Sequence, residues 1–342
     1  MESVCTVTTI KSSLDDTVQF VAYHLSSGID HMYLFFDDPE DPGIEFLSGT
    51  DRVTCIRCDA HHWQSLGRSP EVKPTFSERL HLNGDHGFAL AQEAGFDWVV
   101  RIDSDELLYF ERPLQQILVD SPEFADVVSF PAAEAVPEQL HYDRFYQGAT
   151  LFKVGFLPKI PRRFSDGGVH GSRGSHPRRP YRRFREKVAN TIGVNSRLDG
   201  GRYYRGHVGG KSAIRTTAAI SSTKSHFPLP QEDGELTAVI CVDAVVLHFD
   251  AIDYDRWKAK WMNRYRLKYP GTGKPRETQY NRFVEAYEKG EDRVEELYRR
   301  LYFLSLPQKL LLSAFGLLER IRLDHSRFQF EIHDNRSAGR SR

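Results

Sequence analysis

Three acidic residues lie within four positions of the segment WVVRIDSDELLYF, which covers residues 98–110. Asp103, Asp105 and Glu106 separate two apolar runs that are both suited to burial. Side chains alternate along a strand, so an extended backbone would place Asp103 and Asp105 on one face and turn Glu106 away. Two converging carboxylates repel each other unless a cation lies between them or one is protonated. The pair therefore indicates a site for Mg²⁺ or Mn²⁺ bridging to a diphosphate, with a solvated acidic turn as the alternative.

The elements predicted around this segment place the carboxylates at the edge of a sheet. Strands are expected at residues 4–11, 31–35, 52–58 and 97–102, with helices at 12–28 and 76–94. This alternation is typical of a doubly wound α/β fold with a mostly parallel sheet. Ligands of such sheets bind beyond the carboxyl ends of the strands, which is where Asp103 and Asp105 lie.

The rest of the chain divides into segments of different character. A strand is expected at residues 125–134, a strand pair at 237–249, and helices at 254–269, 278–300 and 307–322. Residues 155–210 read as one long basic loop region, and residues 159–187 alone carry ten Lys or Arg and two acids. We therefore predict a domain at 1–250, a C-terminal helical extension at 251–330 and a disordered tail at 331–342.

Composition excludes several classes of protein. The net charge of −1 argues against a nucleic-acid binder, and 40% hydrophobic residues argue against a disordered chain. The sequence has neither a signal-peptide pattern nor an apolar run long enough to span a bilayer, so we expect a cytoplasmic protein. Cys55 and Cys58 form a CxxC pair without a second pair, so we expect no zinc site there.

Three ordered segments resemble motifs of glycosyltransferases of the GT-A fold, within a family-2-like group. They are HLSSGIDHMYLFFDD (24–38), WVVRIDSDELLYF (98–110) and VLHFDAIDYDRWKAKW (246–261). The chain departs from the group's pattern at Leu107, where Phe is usual, and at Phe249, where Tyr is usual. The resemblance covers roughly residues 4–265 and implies a Rossmann-like, mostly parallel sheet flanked by helices, with the C-terminal helices outside it.

The resemblance also implies roles for individual residues. Asp105 would bind the metal directly, Asp103 would lie nearer the ribose or a metal-bound water, and His248 would complete the metal site. The segment GHVGGKSAIRTTAAISSTKSHFP (206–228) resembles another stretch near the active site of the group, although its glycines do not have phosphate-loop spacing. The residues expected to contact the nucleotide or diphosphate are Thr9, Lys11, Asp37, Asp103, Lys211, Arg215, His226 and Lys260.

The expected catalytic base is a carboxylate on the side of the site where the molecule that accepts the sugar would bind. An inverting transfer needs one within hydrogen-bond reach of the acceptor hydroxyl. Glu134 lies at the end of the strand predicted at 125–134, after the run ADVVSFP, and is our candidate, with Asp143 and Asp166 as alternatives.

The function that the resemblance implies is metal-dependent transfer of a sugar from a nucleoside-diphosphate sugar to a hydroxyl acceptor. The cofactor would be Mn²⁺ or Mg²⁺, and the acceptor a carbohydrate or lipid-linked molecule of polysaccharide or glycolipid biosynthesis. The C-terminal helices could contact the inner face of a membrane peripherally. The alternatives are a nucleotidyltransferase acting on a sugar phosphate and a non-catalytic carbohydrate-binding relative.

Overall fold

The computed structural model describes residues 2–69, 74–155, 164–170, 179–194, 203–206, 209–241, 243–271 and 274–329. Its centre is an eight-stranded sheet formed by β1 (Val4–Ile10), β2 (His31–Phe36), β3 (Val53–Arg57), β4 (Trp98–Arg101), β6 (Val127–Phe130), β9 (Phe164–His170), β10 (Lys211–Arg215) and β13 (Leu236–Cys241). The strand order is β3-β2-β1-β4-β10-β6-β13-β9, and only β9 and β10 run against the others. The predicted α/β class with a mostly parallel sheet is confirmed.

A second, five-stranded sheet adjoins the first. It contains β5 (Glu106–Phe110), β7 (Ala132–Ala135), β8 (Leu151–Val154), β14 (Ala244–His248) and β15 (Leu318–Arg320), in the order β15-β8-β7-β14-β5. The chain passes from the first sheet to the second between β4 and β5, between β6 and β7, and between β13 and β14. A separate pair is formed by β11 (Ile220–Ser222) and β12 (Leu229–Pro230).

Helices cover the sheets and extend the C-terminal part. They are α1 (Leu14–Ser26), α2 (Gly43–Leu47), α3 (Ala60–Ser65), α4 (Phe76–Glu93), α5 (Leu114–Val119), α6 (Arg179–Thr191), α7 (Tyr254–Arg266), α8 (Lys274–Glu288), α9 (Glu291–Tyr302) and α10 (Leu306–Ala314). Local signals explain their ends. Ser13 caps α1 by accepting from Asp16 N at 3.3 Å, and Gly28 follows that helix at φ +96°. Thr75 and Glu78 form a capping box that starts α4.

The central strands of the first sheet are buried. β1, β2 and β4 are buried along almost their whole length, as expected for parallel strands covered on both faces. The C-terminal helices have an apolar cluster of their own, which includes Trp257, Trp261 and Phe283. The chain then returns to the second sheet through β15, and Phe328 packs 5.1 Å from the ring of Tyr23 on α1.

Several predicted elements differ from the observed ones. The strand predicted at 125–134 is divided at Pro131, which has no N–H for the ladder. The helix predicted at 278–300 is two helices, separated at Gly290 with φ +113°. The helix predicted at 307–322 ends at Ala314, and Gly316 at φ +63° leads into β15.

The basic loop region predicted at 155–210 contains β9 and α6 in its described parts. The prediction of one long loop is therefore wrong, because β9 is fixed by antiparallel pairing with β13, which local sequence does not reveal. The predicted disordered tail lies outside the described residues. Within the described part of the chain, no helix is both long and apolar enough to cross a bilayer.

Candidate metal and nucleotide site

The acidic segment after β4 is a turn. The N–H of Glu106 donates to the carbonyl of Asp103 at 3.1 Å, and the N–H of Asp103 donates back to Glu106 Oε2 at 3.0 Å. The N–H of Phe249 donates to the carbonyl of Asp105 at 2.9 Å, and the hydroxyl of Tyr146 donates to the carbonyl of Ser104. Strand alternation therefore does not apply to these residues. The prediction that Glu106 points away from the aspartates is wrong.

Lys211 lies beneath this turn as a fully buried cation. Its Nζ is 2.5 Å from Asp103 Oδ2 and 3.2 Å from Glu106 Oε2, and it also donates to the carbonyl of Ser225 at 3.1 Å. Burial raises the pKa of Glu106 to about 7 although Lys211 opposes the shift. Burial favours the neutral form of Lys211, but Asp103 and Glu106 outweigh it and raise the Lys211 pKa. Asp103 is thus turned toward Lys211.

Asp105 faces a different group. One ligand atom from each of Asp105, His248 and Asp250 lies within 4.8 Å of the others. His248 ends β14, where it pairs with Glu106 of β5 and with Glu134 of β7. Burial opposes protonation of His248, but the Asp105 and Asp250 carboxylates outweigh burial and raise its pKa to about 9. The second sheet therefore brings the imidazole to the turn that follows β4.

The chemistry of this group fits a divalent cation. Two carboxylates and an imidazole are ligands that Mn²⁺ accepts, and Mg²⁺ also binds carboxylate oxygens. Two of the three predicted metal ligands, Asp105 and His248, belong to the group, whereas Asp103 is bound to Lys211. Asp250 was not predicted, although its place two residues after His248 was a usable signal. The carboxylate of Asp250 also accepts from Lys260 Nζ and lies 3.8 Å from Arg276 Nη2.

A second polar group lies at the carboxyl ends of β1 and β2. Arg79 binds Asp37 with both sides of its guanidinium, at 2.5 Å from Nε and 2.9 Å from Nη2. Lys11 Nζ is 3.6 Å from the same carboxylate, and Asn83 Nδ2 donates to Thr9 Oγ1 at 3.1 Å. The structure thus places Thr9, Lys11 and Asp37 at the same end of the sheet, and their contact with a nucleotide stays a prediction. Arg79 and Asn83 were not predicted, although their i, i+4 spacing places them on one face of α4.

The remaining predicted residues lie in different places. His226 is beside Lys211, with its Nδ1 at 3.2 Å from the carbonyl of Gly210, and burial followed by the Lys211 charge lowers its pKa. Arg215 lies at the opposite end of β10, where it pairs with Glu2 at 3.2 Å and stacks on Trp98. Arg215 is therefore not part of the group that the other residues form.

Glu134 is buried in the second sheet next to His248. Its Oε1 accepts from Lys153 Nζ at 3.1 Å, and its Oε2 accepts from the N–H of Gly206 at 2.6 Å. A Cβ on Gly206 would come within 2.6 Å of His248 Cε1 and 3.3 Å of Glu134 Oε2. The candidate base thus adjoins the metal-ligand group, and the close packing there requires glycine.

One further set in the described chain has metal-ligand atoms close together, namely His141, Asp253 and Asp255. Asp253 caps α7 by accepting from the N–H of Arg256 at 3.1 Å, and it also accepts from the N–H of Tyr142 at 3.0 Å. His141 and Asp255 are exposed. Asp253 is thus a helix cap, and His141 Nδ1 lies 3.0 Å from Asp255 Oδ2 at the surface.

Comparison with known proteins finds two curated relatives with glycosyltransferase-like names. No protein-family model matches the chain. Segments are similar to two Arabidopsis thaliana proteins named glycosyltransferase-like, at 24% identity over 172 residues and 23% over 193 residues. The aligned segments are 45% and 51% of this chain, but only 34% and 43% of those relatives. The chain therefore matches less than half the length of either relative.

Two solved structures share a distant likeness. Core-mannan synthase A from Aspergillus fumigatus in its Mn/GDP form has a TM-score of 0.27 at 10% identity, covering 41% of this chain and 45% of its own. A mycobacterial protein has a TM-score of 0.34 at 12% identity, covering 80% and 77%. Both scores lie below 0.5, so no argument rests on them.

Proposed function

We propose that the chain is a metal-dependent glycosyltransferase of the GT-A fold, which transfers a sugar from a nucleoside-diphosphate sugar to a hydroxyl acceptor. The observation that carries the proposal is the meeting of Asp105, His248 and Asp250 at the end of β4. The names of the two curated relatives support the same class of reaction.

The nucleoside would occupy the pocket at the ends of β1 and β2. Asp37 and Arg79 offer a carboxylate and a guanidinium, held rigidly by each other, for hydrogen bonds to a base or ribose. Asp103, fixed by Lys211, would face the ribose between that pocket and the metal ligands. The panel of nucleotide sugars below distinguishes the nucleobases.

The diphosphate would lie next to Asp105, His248 and Asp250, which would hold the cation. A bound Mn²⁺ or Mg²⁺ supplies positive charge that stabilises the departing diphosphate oxygens. Lys260, bound to Asp250, adds a second positive charge on the same side. Glu134 remains our candidate for the base that receives the acceptor proton, because its carboxylate lies beside His248 and Gly206.

We further propose peripheral contact with a lipid surface through α10, consistent with a lipid-linked acceptor of polysaccharide or glycolipid biosynthesis. Leu306 and Leu310 are 69% and 63% exposed, whereas Leu312 of the same helix is buried against the protein. An exposed apolar face of this kind favours an interfacial position. Sedimentation with phospholipid vesicles tests the contact. The double variant Leu306→Ser and Leu310→Ser should lose vesicle binding, and unchanged binding would contradict this part of the proposal.

The central experiment is a panel of nucleotide sugars with Mn²⁺, followed by thermal shift and by release of nucleoside diphosphate. Asp105→Ala should abolish metal-dependent binding and turnover, as should removal of metal by EDTA. Asp255→Ala, in the exposed set at α7, is the matched control and should retain both. The proposal is wrong if no nucleotide sugar binds, or if binding ignores both EDTA and the Asp105 variant. Release of pyrophosphate from a nucleoside triphosphate and a sugar phosphate would instead identify a nucleotidyltransferase.

A further inference from the structure

A cluster of buried charged side chains adjoins Glu134. Lys153 pairs with Glu134 at 3.1 Å, and Arg185 Nη2 is 3.7 Å from Glu186 Oε1. Arg205 adds a third positive charge, which lies near enough to Lys153 to depress the lysine pKa beyond the effect of burial. Three cations therefore face two carboxylates.

Both arginines have hydrogen-bonding capacity that the described residues leave unused. Arg185 is 7% exposed and Arg205 is 4% exposed. Two buried nitrogens on each guanidinium, Nε and Nη2 of Arg185 and Nε and Nη1 of Arg205, have no hydrogen-bond acceptor among the described residues. Buried polar groups are normally satisfied, and a charged group left without an acceptor is destabilising.

Aromatic stacking holds the guanidinium of Arg185 in place but does not satisfy its N–H groups. Its Cζ lies 4.5 Å from the ring centre of Tyr204 and 5.2 Å from that of Tyr203. Arg205 is held by one hydrogen bond, from Nη2 to the carbonyl of Val194 at 3.3 Å. The two guanidinium groups are therefore held in place and positively charged, and their free N–H groups can donate to a planar or tetrahedral anion.

The second sheet connects this cluster to the candidate metal site. Residues paired across neighbouring strands share a face, and the pairs Lys153 with Glu134, Glu134 with His248, and His248 with Glu106 form one row. The metal ligands lie at the β14 and β5 end of the row and Lys153 at the β8 end. Glu134 therefore lies between the candidate metal ligands and Lys153, the lysine whose pKa Arg205 depresses.

We propose that Arg185 and Arg205 form a subsite for a phosphate or carboxylate group of the acceptor. This inference rests on the glycosyltransferase function proposed above, with Glu134 between donor and acceptor. The acceptor is then an anionic molecule, such as a phosphorylated lipid carrier or an acidic sugar, whose charged group neutralises the excess positive charge of the cluster.

Inorganic phosphate serves as the probe, titrated calorimetrically at constant ionic strength. Arg205→Met and Arg185→Met should each weaken phosphate binding by at least about tenfold, because each loses a charge-assisted contact. Arg299→Met is the matched control, since Arg299 also stacks on an aromatic ring but is exposed and paired with Glu295. It should bind phosphate as the wild type does. Equal phosphate binding by all four proteins, or none by the wild type, would overturn the proposal.

A separate measurement tests whether the variants fold. Arg205→Met removes a buried cation with two unsatisfied nitrogens, so Tm in chloride buffer is expected to be unchanged or higher. If either methionine variant fails to fold, Arg205→Lys keeps the charge and loses the fork, and it should still bind phosphate more weakly than the wild type. Wild-type affinity in the lysine variant would overturn the proposal.

The same titration is repeated with the protein saturated with Mn²⁺ and UDP or GDP. Phosphate should still bind, and Arg205→Met should bind the nucleoside diphosphate as the wild type does. Displacement of phosphate by the nucleoside diphosphate would assign the arginines to the donor and overturn the acceptor subsite. A wild type that binds phosphate through these arginines but binds no nucleoside diphosphate would contradict the proposed function and support the anion subsite.

Discussion

Replacing Lys211 with methionine removes a cation from between two carboxylates while keeping most of the side chain's length. The side chain of Lys211 is fully buried, and that of Glu106 is 3% exposed. Deleting one partner of a buried ion pair typically costs about 3–5 kcal/mol. Asp103 is partly exposed and is screened by water, so most of this cost falls on Glu106. We expect Lys211→Met to lose roughly 3–5 kcal/mol of folding free energy at pH 8.

The loss should depend on pH in a defined direction. The folded pKa of Glu106 is about 7, above its ordinary value of 4.5, mainly because of burial. A carboxyl group shifted in this way contributes stability below its unfolded pKa, and that contribution is lost as pH rises through its folded pKa. Without Lys211 the folded pKa rises further, and each unit of the rise corresponds to about 1.4 kcal/mol. The deficit of the variant should therefore be smaller at pH 6 than at pH 8.

Thermal unfolding followed by circular dichroism between pH 6 and pH 8.5 measures the effect. A loss of this size corresponds to a fall in Tm of roughly 5–15 °C for a chain of this length. Lys258→Met is the control, because Lys258 binds both Glu291 oxygens at 2.6 Å on the surface. It should cost less than about 1 kcal/mol. A Tm for Lys211→Met within 2 °C of wild type at pH 8, or a deficit that does not change with pH, would refute this reasoning.

Three further substitutions test other parts of the structure. Gly206→Ala places a Cβ 2.6 Å from His248 Cε1, so Mn²⁺ affinity measured by calorimetry should fall about tenfold or more without a change in far-ultraviolet circular dichroism. Arg79→Lys loses the two-bond pairing with Asp37, so the Kd for a nucleoside diphosphate should rise about tenfold; an unchanged Kd would exclude this pocket. Gly290→Ala meets no neighbour but adopts φ +113°, so urea unfolding should show a loss of about 1–2 kcal/mol with nucleotide binding intact.

Elements with strong local signals were predictable from sequence. The apolar runs at residues 4–11 and 97–102 predict β1 and β4, which form the parallel half of the sheet with their neighbours. The second sheet was not predictable, because its strands pair across long sequence separations. Leu318 of β15 pairs with Lys153 of β8, for example, and no local pattern indicates that contact.

The residues of the candidate site also differ in how far the sequence predicts them. The resemblance predicts Asp105 and His248 as metal ligands, and Asp250 lies with them only because β14 enters the second sheet beside the acidic turn. The apolar flanks of the turn predict a strand there, although Asp and Ser favour turns by bonding to nearby backbone. The resemblance predicts Arg215 at the site, although Arg215 follows Lys211 by four residues on one strand. A strand rises about 3.3 Å per residue, so the two are roughly 13 Å apart.

The chain passes from the first sheet to the second three times, and these three passages limit where residues can be inserted. Asp105 lies within one passage, Glu134 three residues after the break at Pro131, and His248 at the far end of the short strand that follows the third. An extra residue inserted in any passage would shift one of these side chains relative to the others while the opposite ends of the strands stayed in place. We expect insertions to be tolerated at the solvent loops after α2 or α8, and to eliminate function at these passages even where the protein still folds.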